Sequence, residues 1–264
     1  MAKAITYKTE EEIALLRTSA RLVGKTLAEV GKRITPGVST LDLDNLAEEF
    51  IRDNDAIPAF KNYQPKFDDR PFPCSLCVSV NEEVVHGFAL QDKILQDGDI
   101  VSIDCGVLKN GYYGDSAYTF AVGEISSKKR KLLDVTKTSL LKGIEKAVNG
   151  NRLGEVSNAI QKHAELYGFS VVREMVGHGV GTHLHEPPEV PNFGRRRSGP
   201  RLKPGMVLAI EPMINMGRRH ISIADDGWTV FASDHMPSAH FEHMIAITKG
   251  QAEILTTFEF IENN

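Results

Sequence analysis

Leu95-Gln96-Asp97-Gly98-Asp99-Ile100-Val101-Ser102-Ile103-Asp104 and Leu202-Lys203-Pro204-Gly205-Met206-Val207-Leu208-Ala209-Ile210-Glu211 are the two stretches whose reading decides the fold. They match position for position in a leucine, a glycine, an apolar run and a closing carboxylate. Each reads as a turn, an apolar strand and then an acid placed where the strand should continue inward. A buried carboxylate is costly unless something pairs with it, so each acid calls for a partner.

The surroundings of the two stretches repeat as well. From Thr9 to about Ile34, the apolar residues Ile13, Leu15, Leu16, Leu22, Val23 and Leu27 fall at mixed helical spacing behind a Thr9-x-x-Glu12 capping box. Thr35-Pro36-Gly37 breaks the chain, and Ser39 or Thr40 caps a second helix bearing Leu41, Leu43, Leu46, Phe50 and Ile51. The same order returns with a helix from about Leu132 to Val148, a break at Asn149-Gly150-Asn151, a helix from about Leu153 to Tyr167, and a β-rich remainder. We therefore expect an α+β fold of two related halves, forming a single domain over residues 1–264.

A net charge of -4 is mild. The basic runs Lys128–Lys131 and Arg195–Arg197 are short and separate, which predicts a solvated face rather than a stripe for specific nucleic acid, while leaving room for transient docking on a ribosome. Met1–Ile5 lacks the apolar core of a secretory signal, and no stretch is apolar for the length of a bilayer, so a cytoplasmic protein without membrane contact is expected. Cys74, Cys77 and Cys105 offer no disulfide framework, and the Cys74-x-x-Cys77 pair lacks the further ligands of structural zinc.

Lys109-Asn110-Gly111-Tyr112 signals a tight hairpin. With Asn110 and Gly111 at the turn, Lys109 faces Tyr112 and Asp104 faces Ala117, so Asp104 and Asp115 become diagonal neighbours on one face of the ribbon. Such neighbours have β-carbons roughly 7 Å apart, and both can converge on a metal pair ~3.5–4 Å apart. In Gly177-His178-Gly179-Val180-Gly181-Thr182-His183-Leu184-His185, glycines permit a bent backbone that holds imidazoles together. With Glu211 after one apolar strand and Glu242 before another, Asp104, Asp115 and His178 complete a set of oxygen and nitrogen donors. That set suits two divalent first-row metals, Mn, Fe, Co or Zn. Walker, Gly-x-Ser-x-Gly and His-Glu-x-x-His patterns are absent.

The stretches Asn81–Gly87, Asp99–Asp104, Gly111–Asp115, Gly177–Gly179, Ile210–Met213 and Phe241–His243, found in this order, resemble the type I methionine aminopeptidases of the bacterial kind over nearly the whole chain. The resemblance implies the pita-bread fold, a curved antiparallel sheet backed by two helix pairs with pseudo-two-fold symmetry. It implies one metal held by Asp115, His178, Glu211 and Glu242 and a second by Asp104, with Asp115 and Glu242 bridging. It further implies metal-activated water attack, Glu211 as proton shuttle, and His86 and His185 as contacts to the scissile peptide. Phe60, Tyr63, Phe72, Cys77 and Trp228 would then wall the methionine pocket. The implied substrate is the initiator methionine of nascent chains with a small second residue, and the implied state a monomer.

Two departures concern the pocket: Leu184 stands where the family commonly has an aromatic, and Lys66–Pro71 reads as a small insertion. The rival readings are a proline-directed peptidase of the same fold, which usually carries an extra N-terminal domain, and a non-catalytic binder, which should have lost ligands that are intact here.

Overall fold

The computed structural model describes residues 4–64 and 70–263. Lys66–Asp69 of the expected insertion and Met1–Lys3 of the N-terminus lie outside them. The first half contains α1 (Glu10–Gly31), α2 (Thr40–Asp53), β1 (Ile57–Pro58), β2 (Leu76–Val80), β3 (Glu83–Val85), β4 (Ile100–Lys109) and β5 (Tyr112–Ala121). The second opens with α3 (Ser127–Ile144), α4 (Leu153–Leu166), β6 (Ser170–Val171), β7 (Gly177–Gly179) and β8 (Glu186–Val190). It continues through β9 (Val207–Ile210), β10 (Met213–Asn215), β11 (Ile221–Ile223), β12 (Val230–Ala232), β13 (Ser238–His240), β14 (His243–Ala246), β15 (Glu253–Ile254) and α5 (Glu259–Glu262).

Local chemistry sets the helix starts. At α1 the Thr9 side chain accepts from the Glu12 amide while Glu12 reaches back to the Thr9 amide, the expected capping box. Caps of this kind stabilise a helix by about 1 kcal/mol. Ser39 caps α2 by accepting from Asp42 N. Helix α3 differs from the sequence expectation, beginning after Ser126 rather than near Leu132. Its first turn, Ser127-Lys128-Lys129-Arg130, carries no apolar residue to mark it and no acid to favour the helix dipole. Nor is that basic run wholly solvated, because Lys129 Nζ donates to Gly98 O at 2.7 Å and to Asn81 Oδ1 at 2.8 Å.

Every strand pairing among the described residues is antiparallel, and the strands fall into four sheets joined by eleven pairings. The predicted hairpin is the longest, with Lys109 opposite Tyr112, Asp104 opposite Ala117 and Gly106 opposite Asp115. Helices α1 and α2 back the first-half ladder, and α3 and α4 pack together behind β9, β10 and β13. Two large cores follow this division. One gathers Leu27, Leu43, Leu76 and Ile103, and the other Leu140, Ile160, Leu208 and Ile210. The paired motifs enter their strands alike: Leu95 and Leu202 are fully buried, and Gly98 and Gly205 have φ of 90° and 87°. Only glycine takes that left-handed conformation without strain.

Candidate metal and peptide site

The hairpin register puts the two aspartates where the sequence placed them, on one face of β4 and β5. The other donors arrive by strand pairing. His243 lies opposite Ile210 across β14 and β9, which brings the preceding Glu242 beside the following Glu211. Glu242 is tied to the hairpin, since its amide donates to Ala117 O at 2.9 Å and Ser116 Oγ donates to its carbonyl at 2.6 Å. His178 sits at the centre of β7 opposite Ala209. Its glycine neighbours allow strand approach on both sides, because a β-carbon on Gly177 would lie 2.4 Å from Ala209 O and one on Gly179 2.4 Å from Pro187 O.

His178 Nδ1 lies 3.0 Å from Gly179 O and so carries the proton, which leaves Nε2 as the free donor atom. That Nε2 is 3.7 Å from Asp115 Oδ2 and 3.5 Å from Glu211 Oε1. Donor atoms of Asp115, His178 and Glu242 all lie within 4.8 Å of one another.

The electrostatics of the cluster fit a cation. Asp104 Oδ1, Asp115 Oδ1 and Glu242 Oε1 are buried without a hydrogen-bond partner. Burial pushes Asp104 up to about 7. Burial first, and then the neighbouring carboxylates, push Asp115 and Glu242 well above the usual carboxylate range, and burial and Asp104 do the same to Glu211. Burial also holds His178 down at about 4, so its imidazole is neutral near pH 7 and can serve as a ligand. Acids crowded together, desolvated and joined by a neutral imidazole are what divalent ions would relieve.

A cavity of about 360 Å³ opens above this cluster, and its lining contains all five donors together with His86, His185, Phe60, Tyr63, Phe72, Cys77 and Trp228. Every residue the sequence assigned to the site is therefore brought to one place. Phe72 and Trp228 meet edge to face with centroids 5.2 Å apart. Val85 pairs with Val230 across β3 and β12, which sets His86 6.0 Å from the Trp228 ring. His86 holds φ at 59°, a strained value for a residue with a β-carbon. His185 lies 4.3 Å from the His178 ring, with its Nδ1 2.8 Å from the Tyr63 hydroxyl. Burial lowers the pKa of both His86 and His185.

Several lining residues went unassigned in the sequence: Val85, Glu174, Met175, Val176 and Met213. His240 was also missed, a buried histidine whose Nε2 lies 3.9 Å from Glu211 Oε2. Two-residue alternation was the available signal, because Met213 and His240 each stand two positions from a glutamate of the set. Leu184, the departure from the expected aromatic, is buried and lines the cavity. The chain segment carrying His185 is anchored from the N-terminal arm: Glu186 accepts from Thr6 Oγ1 at 2.7 Å and from Lys8 Nζ at 2.6 Å. Cys74 and Cys77 are free thiols.

Comparison with known proteins agrees with this geometry. The model of metallopeptidase family M24 matches residues 14–249. Methionine aminopeptidase 1 of Bacillus subtilis is 52% identical over 252 residues, covering 96% of this chain and 99% of the relative. The crystal structure of a methionine aminopeptidase from Thermotoga maritima superposes with a TM-score of 0.92 at 44% identity, covering 96% of this chain and 100% of that one. A Bacillus anthracis Xaa-Pro dipeptidase, 24% identical, shares the fold with a TM-score of 0.74 over 95% of this chain but 62% of its own. On this footing the chain belongs to metallopeptidase family M24, among its methionine aminopeptidases.

Proposed function

We propose that the protein is a metal-dependent aminopeptidase that removes the N-terminal initiator methionine from nascent polypeptides, preferring a small second residue. The observation that carries this reading is the junction of a desolvated carboxylate cluster with an apolar aromatic-walled cavity, the two meeting at His86 and His185.

Asp115, His178, Glu211 and Glu242 would hold one divalent ion, and Asp104 a second with Asp115 and Glu242 shared; Co, Mn, Fe and Zn all suit these donors. When bound, such ions supply an activated water and Lewis-acid stabilisation of the developing oxyanion. The remaining work falls to the chain. Phe60, Tyr63, Phe72, Cys77 and Trp228 enclose the thioether, which packs well against aromatic edges. His86 accompanies the scissile amide nitrogen and His185 the carbonyl oxygen. Both are neutral near pH 7 and add no charge beside the metal site, so His86 can accept the scissile N–H on its unprotonated nitrogen while His185 donates an N–H to the carbonyl oxygen. Glu211 takes a proton from the attacking water and delivers it to the departing amine.

We further read residues 1–264 as one catalytic domain acting as a cytoplasmic monomer with transient ribosome association. Among the described residues, no helix is long and apolar enough to cross a membrane. The test is release of free amino acid by metal-stripped protein resupplied with Mn or Co, offered Met-Ala-Ser and Ala-Pro-Ala. Metal-dependent release of methionine alone supports the reading. Cleavage before proline would move the chain to the proline-directed side of the fold, and no cleavage of either would favour a binding protein.

A further inference from the structure

A second, larger cavity of about 730 Å³ shares no lining residue with the first. One wall is the face of α4 bearing Glu155, Asn158 and Lys162, at the helical spacing that aligns residues on one side. The others are the turn after α3 and the 195–201 loop, contributing Lys146, Arg152, Arg196, Arg197 and Arg201. Six cations thus face one acid, Glu155, in a chain whose net charge is -4. That acid is already engaged by Arg196, at 2.8 Å. Residues far apart in sequence converge here, so the second basic run is part of a cleft rather than an isolated solvated patch.

The cleft is built. Gly154 N donates to Ser198 O and Leu153 N to Pro200 O, both at 3.0 Å, and a β-carbon on Gly154 would lie 2.3 Å from Arg195 O. Arg152 and Arg201 are held directly opposite one another in an antiparallel bridge, a like-charge pairing that costs stability by itself. Each guanidinium spends one N–H on a carbonyl, Arg152 on Gly199 O and Arg201 on Gly150 O, and has others left to donate. A polyanion relieves this repulsion. The lining has no aromatic ring on which bases could stack and no large apolar side chain to enter a lipid layer.

We infer that this cleft binds the phosphodiester backbone of folded RNA without regard to sequence. Guanidinium forks match phosphate oxygens, and a concave cationic wall tracks a backbone.

The experiment is fluorescence anisotropy of the full, metal-loaded protein with labelled duplex RNAs of two unrelated sequences, across a salt series. The variant is Lys146→Glu/Lys162→Glu/Arg197→Glu, whose three side chains are all exposed. Expected are equal affinities for the two RNAs, a loss of tenfold or more in the variant, and a log-log salt slope shallower by about 2 to 3. Methionine release from Met-Ala-Ser should stay unchanged, which also reports a folded variant. If the triple reversal does not fold, Lys162→Gln/Arg197→Gln should give a smaller loss in the same direction. No RNA binding by the parent at low salt, binding untouched by either variant, a strong sequence preference, or binding only to phosphatidylserine vesicles overturns the inference.

Discussion

The two strand motifs enter alike and finish differently. In the first half, Asp104 lies in the middle of β4, whose strand runs on to Lys109 and turns back through a hairpin that delivers Asp115 as well. In the second, β9 stops at Ile210, and Glu211 stands just past the last pairing, opposite the similarly placed Glu242. Acids locked within a ladder are suited to holding ions. Glu211, just past the ladder's end and near both His178 and His240, is the acid we propose moves a proton, while Glu242 beside it is held to the hairpin through Ala117 and Ser116.

That contrast breaks first at Glu211. Glu211→Gln should retain metal and lower turnover by about 10²–10⁴, the range for a lost general base, whereas Asp104→Asn should release one of two ions, measured by metal analysis of the purified proteins. Near-normal turnover in Glu211→Gln would end its role as shuttle. His86→Ala comes next, with about a hundredfold loss of turnover and full metal content. If both ions left this variant, His86 would be a ligand or a structural residue.

The fifth residue is a buried polar group in both α2 and α4, Asp44 in one and Ser157 in the other. Asp44 accepts from Leu76 N at 2.7 Å, yet burial still pushes it up to about 6. The folded chain then holds a proton that the unfolded chain has lost between about pH 4 and pH 6, so stability falls as pH rises through that window and levels off above it. Asp44→Asn should remove the fall, worth on the order of 2–3 kcal/mol. Denaturant titrations of both proteins from pH 4 to 7 measure it, and a pH-independent difference between them would discard the assignment.

The smallest effects concern the entry glycines. Gly98→Ala should cost about 1–2 kcal/mol for its left-handed backbone, since its added β-carbon meets nothing nearer than Glu124 O at 3.7 Å. Gly205→Ala should cost more, because Lys8 O would lie at 2.8 Å. Equal melting shifts would show that the N-terminal arm yields freely.

Much of the site was legible because its signals are local. The Asn110-Gly111 turn fixes a register, and register alone converts sequence spacing into the diagonal placement of Asp104 and Asp115. The Thr9 box and Ser39 cap likewise announce their helices. The start of α3 was hidden because a lysine-rich first turn buries nothing in its own sequence window. The Lys8–Glu186 pair and the basic cleft were hidden for a different reason: each depends on segments that only tertiary pairing brings together.

Five side chains from both halves are proposed to hold two ions. A crystal of the manganese-loaded protein, with anomalous scattering measured near the manganese edge, tests it directly. The expected map shows two peaks about 3.5–4 Å apart, both touching Asp115 and Glu242, with Asp104 on one and His178 and Glu211 on the other. A single peak, or two that do not share Asp115 and Glu242, would contradict the account.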